Sequence, residues 1–423
     1  MANIKNSLGK RVFPFLAATV AAVSFSTCDL NGGTGTQPGE DPGGNSTEKI
    51  NLKGQRVVHT LWSEPQRDPR HAMGYQLRDG TPWFDNYVVL YGFRLIDRNC
   101  GAIGELKCNE SGLHLHMINE TWDYMLPNWN TLVKPLRDKG IKFVMSIVPG
   151  IGDGYGGGGG VTVGTLYRWP MEEWYSWKSL EGEDVYPYGP DAVKKVIGQI
   201  KDFRAKYPFD GIGYDEEYGS TGTGLGRGAV YPDAQKYPLS DVGKAWNIGG
   251  ENILRFANEV NLALGLKFGH EVYEIRYGQH VAESYTYPEG EMPAGSERTV
   301  LLEDVIDYSY EAFYGGWQSK SGFGMPRDRF GPASVELGTI GSTPKPAYGK
   351  NGIEARMRDH LGGNYGVVMY YNMTGREQFE NTHPGIPPFD QYFSDIGRIL
   401  YGQGVVYIGD DYNVPIFPGG NPG

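Results

Sequence analysis

Cysteine is scarce in this chain, with three among 423 residues, and none of them forms a C-x-x-C pair. No Walker-type phosphate loop occurs, and no G-x-S-x-G offers a serine nucleophile on a strand-to-helix turn. Positive charge is short as well. The 39 Lys and Arg are outnumbered by 50 Asp and Glu, giving a net charge of −11. That balance argues against nucleic acid or an anionic membrane surface as a partner. A dinucleotide fingerprint is matched by Gly152-Asp-Gly154-Tyr-Gly-Gly157. More glycines and a Trp-rich stretch follow it, where a pyrophosphate site needs a helix N-terminus, so this is read as a rim loop.

Glycine and aromatics are abundant: 63 Gly, 29 Tyr and 9 Trp. Flat rings cover the apolar faces of sugars while a Tyr hydroxyl bonds a rim, although rings also simply fill cores. At 39% hydrophobic, the chain can bury one large core or two medium ones. Residues 1–28 read as an export signal: Lys5, Lys10 and Arg11 precede an apolar run from Val12 to Phe25 that is too short to span a bilayer. The run ends at Ser26-Thr27-Cys28 and resembles a bacterial lipoprotein signal, which implies lipidation at Cys28 and a place in the bacterial cell envelope, at the outer membrane or cell surface. Residues 29–48 are rich in Gly, Pro, Asn and Ser and read as a flexible tether. Cys100 and Cys108 remain, either as a disulfide closing a short loop or as two free thiols. His114 and His116 share one strand face, but no third metal ligand is evident near them.

From Gln55 onward, apolar runs alternate with helical or loop segments. Strands are expected near Arg56–Trp62, Phe84–Phe93, Ile141–Val148, Phe209–Glu217, Leu266–Tyr273, Val305–Tyr314, Ser334–Ile340 and Gly366–Tyr371. Helices are expected over Pro190–Tyr207, Ala245–Leu264, Asn351–Leu361 and Tyr392–Tyr401. The first of these carries a single apolar stripe of Val193, Val196, Ile197, Ile200 and Phe203. Pro135 interrupts the helix before the third strand, and Gln279–Ser296 reads as loop or hairpin. Strand–helix alternation repeated eight times predicts an α/β fold, a single (β/α)₈ TIM barrel over residues 49–410, with a tail at 411–423. The active site of such a barrel lies at the C-terminal strand ends.

The fourth expected strand ends in Asp210-Gly-Ile-Gly-Tyr-Asp215-Glu-Glu217-Tyr. Side chains alternate along a strand, so Asp215 and Glu217 point the same way, with Gly211 and Gly213 behind them. Two carboxyls held close do not ionise together easily, which leaves one acid and one anion on a single wall. Cleavage of a glycosidic bond uses such a pair. Taken alone, the pair reads more simply as an ordinary strand end whose acids meet solvent.

The same segment resembles the D-G-x-D-x-D-x-E signature of glycoside hydrolase family 18, and Glu217-Tyr218-Gly219 is similar to its endo-β-N-acetylglucosaminidase branch. Lys134-Pro-Leu-Arg-Asp-Lys-Gly-Ile-Lys-Phe-Val-Met-Ser-Ile resembles the third-strand entry of that branch. Tyr310-Glu-Ala-Phe-Tyr314-Gly-Gly-Trp317 resembles its sixth-strand ending, and Gly366-Val-Val-Met-Tyr-Tyr371-Asn372-Met its eighth strand. Two positions depart from the pattern. Gly213 replaces the middle Asp that supports the next one, and Glu311 stands where the branch often has Asn.

The resemblance implies retaining hydrolysis of the GlcNAc-β1,4-GlcNAc core of N-linked glycans, with the substrate's own 2-acetamido oxygen as nucleophile. Glu217 is then the general acid, Asp215 orients the acetamide and stabilises the oxazolinium, and Tyr314 holds the acetamide oxygen. Asp210, Glu311, Trp317, Tyr371 and Asn372 are the implied substrate contacts. No metal or cofactor is implied, and the protein is expected to act as a monomer whose partners are the glycan and, through a lipid anchor alone, a membrane. With Gly213 in place, Asp215 is expected to lean on Glu217 and on nearby Tyr hydroxyls. A chitinase-like hydrolase of GlcNAc polymers and a decayed glycan-binding barrel are the alternatives.

Overall fold

The computed structural model describes residues 48–97, 113–117, 124–148, 163, 166–167, 177–178, 184–185, 190–215, 239–265, 272–276, 281–310, 325–332, 334–337, 353–382, 384–385 and 387–409. All of them belong to one unit, Asn45–Gly423.

Eight parallel strand positions run in chain order around a barrel. They are β1 (Val58–Ser63), β2 (Asn86–Asp97), β3 (Lys142–Val148), β4 (Gly211–Asp215), β5 (Val272–Arg276), β6 (Tyr308–Tyr310), β7 (Phe330–Gly331 with Ser334–Glu336) and β8 (Val367–Tyr371). Each pairs in parallel with its neighbour from β1 through β6, and β1 pairs with β8. The seventh position does the closing. Its first half, Phe330–Gly331, pairs with β6, and its second half, Ser334–Glu336, pairs with β8. This is a (β/α)₈ barrel.

The strands are buried on both faces, and their alternation sorts two cores. Inside the barrel lie Trp62, Val88, Val144, Val272, Tyr310, Val367 and Met369. Outside, Tyr87, Phe143, Ile212, Tyr273 and Val368 face the helices. Around the barrel run α1 (Trp129–Leu132), α2 (Lys134–Asp138), α3 (Pro190–Lys206), α4 (Leu239–Leu264), α5 (Leu302–Val305), α6 (Ile353–Gly363), α7 (Arg376–Thr382) and α8 (Phe389–Tyr401). The expected stripe of α3 is buried throughout, with Val193, Val196 and Ile200 fully enclosed. Pro135 sits in the first turn of α2, where its missing N–H costs nothing, so it separates α1 from α2. Gly402 ends α8 at φ 71°, a left-handed cap that favours glycine.

The N-terminal rim is tied by a device used three times. Asp85, Asp210 and Asp307 each stand immediately before an even-numbered strand. Each donates its backbone N–H to a carbonyl on the preceding odd-numbered strand: His59 at 2.8 Å, Phe143 at 2.7 Å and Tyr273 at 2.8 Å. Each carboxylate then accepts the N–H of that same residue, at 2.7, 3.0 and 2.8 Å respectively. Two bonds per pair fix the strand register at the bottom of the barrel.

The fifth strand corrects the sequence reading. It is described over Val272–Arg276 and so runs on past Tyr273, where the expected strand ended. The sixth strand begins at Tyr308, later than the expected Val305, because Leu302–Val305 forms a helical turn that carries the chain into it. The loop-or-hairpin region does form a hairpin, with Ser284–Thr286 antiparallel to Thr299–Leu301.

Candidate active site

Asp215 is the last residue of β4 and therefore stands at the C-terminal mouth, as its position in the sequence implied. It is 5% exposed. Its Oδ2 accepts a hydrogen bond from Arg276 Nη1 at 3.0 Å, across adjacent strands that place the two residues in direct register. Its Oδ1 is buried and has no partner among the described residues. Burial pushes the Asp215 carboxyl above the usual carboxylate range, and the Arg276 guanidinium opposes that rise. The guanidinium itself lies over two rings, 5.0 Å from the Trp62 ring centroid and 5.6 Å from that of Tyr371.

Directly beneath lies a second buried carboxyl, that of Glu274, two residues before Arg276 on the same face of β5. It accepts from Thr60 Oγ1 at 2.7 Å, from Asn86 Nδ2 at 2.5 Å and from the Tyr310 hydroxyl at 2.7 Å. That hydroxyl in turn accepts from Trp62 Nε1. Burial raises the Glu274 carboxyl to about 7, against the pull of these donors. Glu274 is the register partner of Gly213. A Cβ at 213 would sit 2.9 Å from Trp62 Cζ2 and 2.9 Å from Val88 Cγ1. The indole therefore occupies the space where a side chain from that position would go.

The raised Glu274 carboxyl has a consequence for stability. A carboxyl that binds its proton more tightly when folded favours the folded state fully below its ordinary value of 4.5. That contribution is lost as pH rises toward about 7. The difference is up to about 3 kcal/mol. Chemical unfolding of the wild type and of Glu274→Gln should therefore diverge across this window, with the wild type losing more stability as pH rises. Parallel pH profiles would contradict the assignment.

The structure separates the residues expected to meet the substrate. Tyr371 ends β8 and reaches the Asp215 end of the barrel through Arg276. Asn372 follows at φ 59°, donating its N–H to Trp62 O at 2.7 Å and accepting from Arg67 Nε at 3.3 Å. Asp210 corrects the sequence reading. It lies at the opposite end of β4, in a bidentate ion pair with Arg137 and bonded to the Phe143 N–H, which makes it a clasp of the lower rim and not a substrate contact. The expectation that Asp215 leans on Glu217 and on nearby Tyr hydroxyls falls partly on Glu217 and Tyr314, outside the described residues. The described partner is Arg276, and the Tyr310 hydroxyl is engaged by Glu274 and Trp62. Glu217, Tyr314, Glu311, Trp317, Cys28, Cys100 and Cys108 lie outside the described residues.

Sequence reasoning missed Arg276, Glu274 and Trp62. A signal for two of them was present in Val272-Tyr-Glu-Ile-Arg276, where charged residues at i and i+2 alternate with buried apolar ones. Ending the fifth strand at Tyr273 hid that alternation.

No protein-family model matches the chain. Over 333 residues it is 22% identical to an endo-beta-N-acetylglucosaminidase of Flavobacterium sp. (strain SK1022), covering 79% of this chain and 76% of that one. That sequence similarity is to a glycoside hydrolase. Among solved structures it resembles EndoBT-3987 of Bacteroides thetaiotamicron in complex with a Man5GlcNAc product. That match has a TM-score of 0.47 and 15% identity and covers 86% of this chain. This chain spans 64% of the length of that one. A family 18 chitinase from Pseudoalteromonas aurantia is also similar, with a TM-score of 0.38, 12% identity, and coverage of 77% of this chain and 97% of that one.

Proposed function

We propose that the protein is an endo-β-N-acetylglucosaminidase that cleaves the GlcNAc-β1,4-GlcNAc core of N-linked glycans with retention of configuration. The observation that carries this reading is the buried Asp215 carboxylate at the barrel mouth. One of its oxygens is anchored to Arg276, and the other is left to accept a hydrogen bond. A substrate acetamide N–H is a donor of the required kind. The similarity to the Flavobacterium enzyme across most of both chains supports the same reading.

In this mechanism, Asp215 accepts the acetamide N–H and turns the acetamide oxygen toward the anomeric carbon, assisted by Tyr314. Glu217 protonates the glycosidic oxygen as the acetamide oxygen attacks, so the C1–O bond breaks and a cyclic oxazolinium forms. Glu217, now a carboxylate, takes a proton from water as that water attacks C1. The ring opens, and the acetamide and the original anomeric configuration are restored. The Asp215 anion lies beside the positive charge of the intermediate and stabilises it.

Mass spectrometry of a denatured N-glycoprotein after digestion tests the proposal. Protein left carrying a single GlcNAc is the expected product. Cleavage of chitin oligomers alone would instead make this a chitinase, and binding without cleavage a lectin-like barrel. The proposal also includes a location, the cell envelope, through a lipid on Cys28. Cys28→Ser is then expected to move the protein from the membrane fraction to the soluble one, and unchanged fractionation would sink the anchor.

A further inference from the structure

We infer that Arg276 is a positioning residue for this reaction, holding Asp215 as an oriented anion from the neighbouring strand. The inference rests on the proposed role of Asp215, and four observations support it. The Asp215–Arg276 pair is in direct strand register and almost wholly enclosed, the two side chains being 7% and 3% exposed. The contact uses one carboxylate oxygen only, so it fixes the rotamer of Asp215 and leaves Oδ1 to meet a donor from the substrate. The guanidinium lies against the rings of both Trp62 and Tyr371, which restricts the long side chain. Finally, Gly213, two residues before Asp215 on the same face, has no side chain to give and no room for one.

The kind of partner matters chemically. A carboxyl at position 213 would share a proton with Asp215. A guanidinium cannot accept a proton and therefore favours the ionised carboxylate. Among the described residues, the other titratable groups facing this interior include Glu274 on β5, Tyr308 and Tyr310 on β6, Tyr371 on β8, and Arg94 of β2, the register partner of the interior Val148. Glu274, level with Gly213, accepts a hydrogen bond from the Tyr310 hydroxyl. Among the described residues, Arg276 is the charge that opposes the rise which burial imposes on Asp215.

The test compares the wild type with Arg276→Met and Arg276→Lys, using kcat and kcat/KM on an N-glycan from pH 4 to 9. Arg276→Met is expected to move the acidic limb of kcat/KM upward by at least one pH unit, so activity at pH 5 relative to pH 7 falls at least tenfold. Arg276→Lys keeps the charge but not the planar fork, and should restore the limb while recovering only part of kcat. A purely structural role would lower activity at every pH and leave the limb in place, and that result overturns the inference. Carbon-detected NMR titration of the Asp215 carboxyl, assigned with Asp215→Asn, is run on the same proteins without substrate. If the wild type cleaves no N-glycan, the hydrolase reading fails while this titration still decides the role of Arg276. Should Arg276→Met fail to fold, the comparison of wild type with Arg276→Lys carries the test. An Asp215 midpoint that moves by less than a few tenths of a unit in Arg276→Met, or an unchanged kcat in Arg276→Lys, overturns the inference.

Discussion

Glu217→Gln is expected to reduce turnover on N-linked glycans by ~10²–10⁴-fold, the usual worth of general acid–base help, while glycan binding persists. Gln keeps the shape of Glu and can still hydrogen-bond a glycosidic oxygen, but it has no proton to give to that oxygen. It also cannot accept one from the water that opens the oxazolinium. Both half-reactions therefore suffer, whereas ground-state contacts with the sugars remain. Single-turnover assays alongside calorimetric binding would separate the two quantities. Near-full activity in the variant would mean that the acid is another residue and that the mechanism proposed above is wrong.

Gly213→Asp should be severely destabilising, although it restores the residue that the family signature carries at this position. The new Cβ would meet Trp62 and Val88 at 2.9 Å, and neither is the flexible tip of a long side chain. Overpacking of this kind costs about 1–3 kcal/mol. The carboxyl would then lie in an enclosed layer beside its register partner Glu274, which is already a buried acid with its own donors in use. A further unpaired charge there costs several kcal/mol more unless it stays protonated. Gly213→Ala isolates the first effect and should show the overpacking loss alone. Urea midpoints for the two variants provide the comparison. If Gly213→Asp is as stable as the wild type, Trp62 is not the obstacle that the geometry makes it.

The two expected losses differ in kind. Glu217→Gln removes chemistry from a protein that remains folded. Gly213→Asp damages the interior that holds Asp215 and Arg276 in place, so any loss of activity there should track a loss of stability.

Much of this molecule is determined by local pattern. The short, continuous, β-branched-rich apolar runs of β3 and β8 fit strands covered on both faces, and the stripe of α3 fits a helix lying on them. Eight alternations then leave little besides a barrel, and the position of Asp215 at a strand end places it at the mouth. These features depend on neighbours within one or two turns of the chain, which is why they are legible in it. Tertiary structure alone decided what Asp215 touches. Arg276 lies 61 residues away and Trp62 lies further still, and the barrel brings them together by closing β1 against β8 and pairing β4 with β5. The missing carboxyl at position 213 reads in sequence as a gap in a motif. In the folded chain that space is filled by an indole, and the supporting charge comes from the next strand. Asp210 teaches the converse. Five residues before Asp215 and just ahead of the same strand, it is about 16 Å away at the opposite rim, where the same pairing of Asp with a neighbouring backbone recurs before β2 and β6. A short motif records which residues are neighbours along the strand, but the length of the strand decides which of them can share a site.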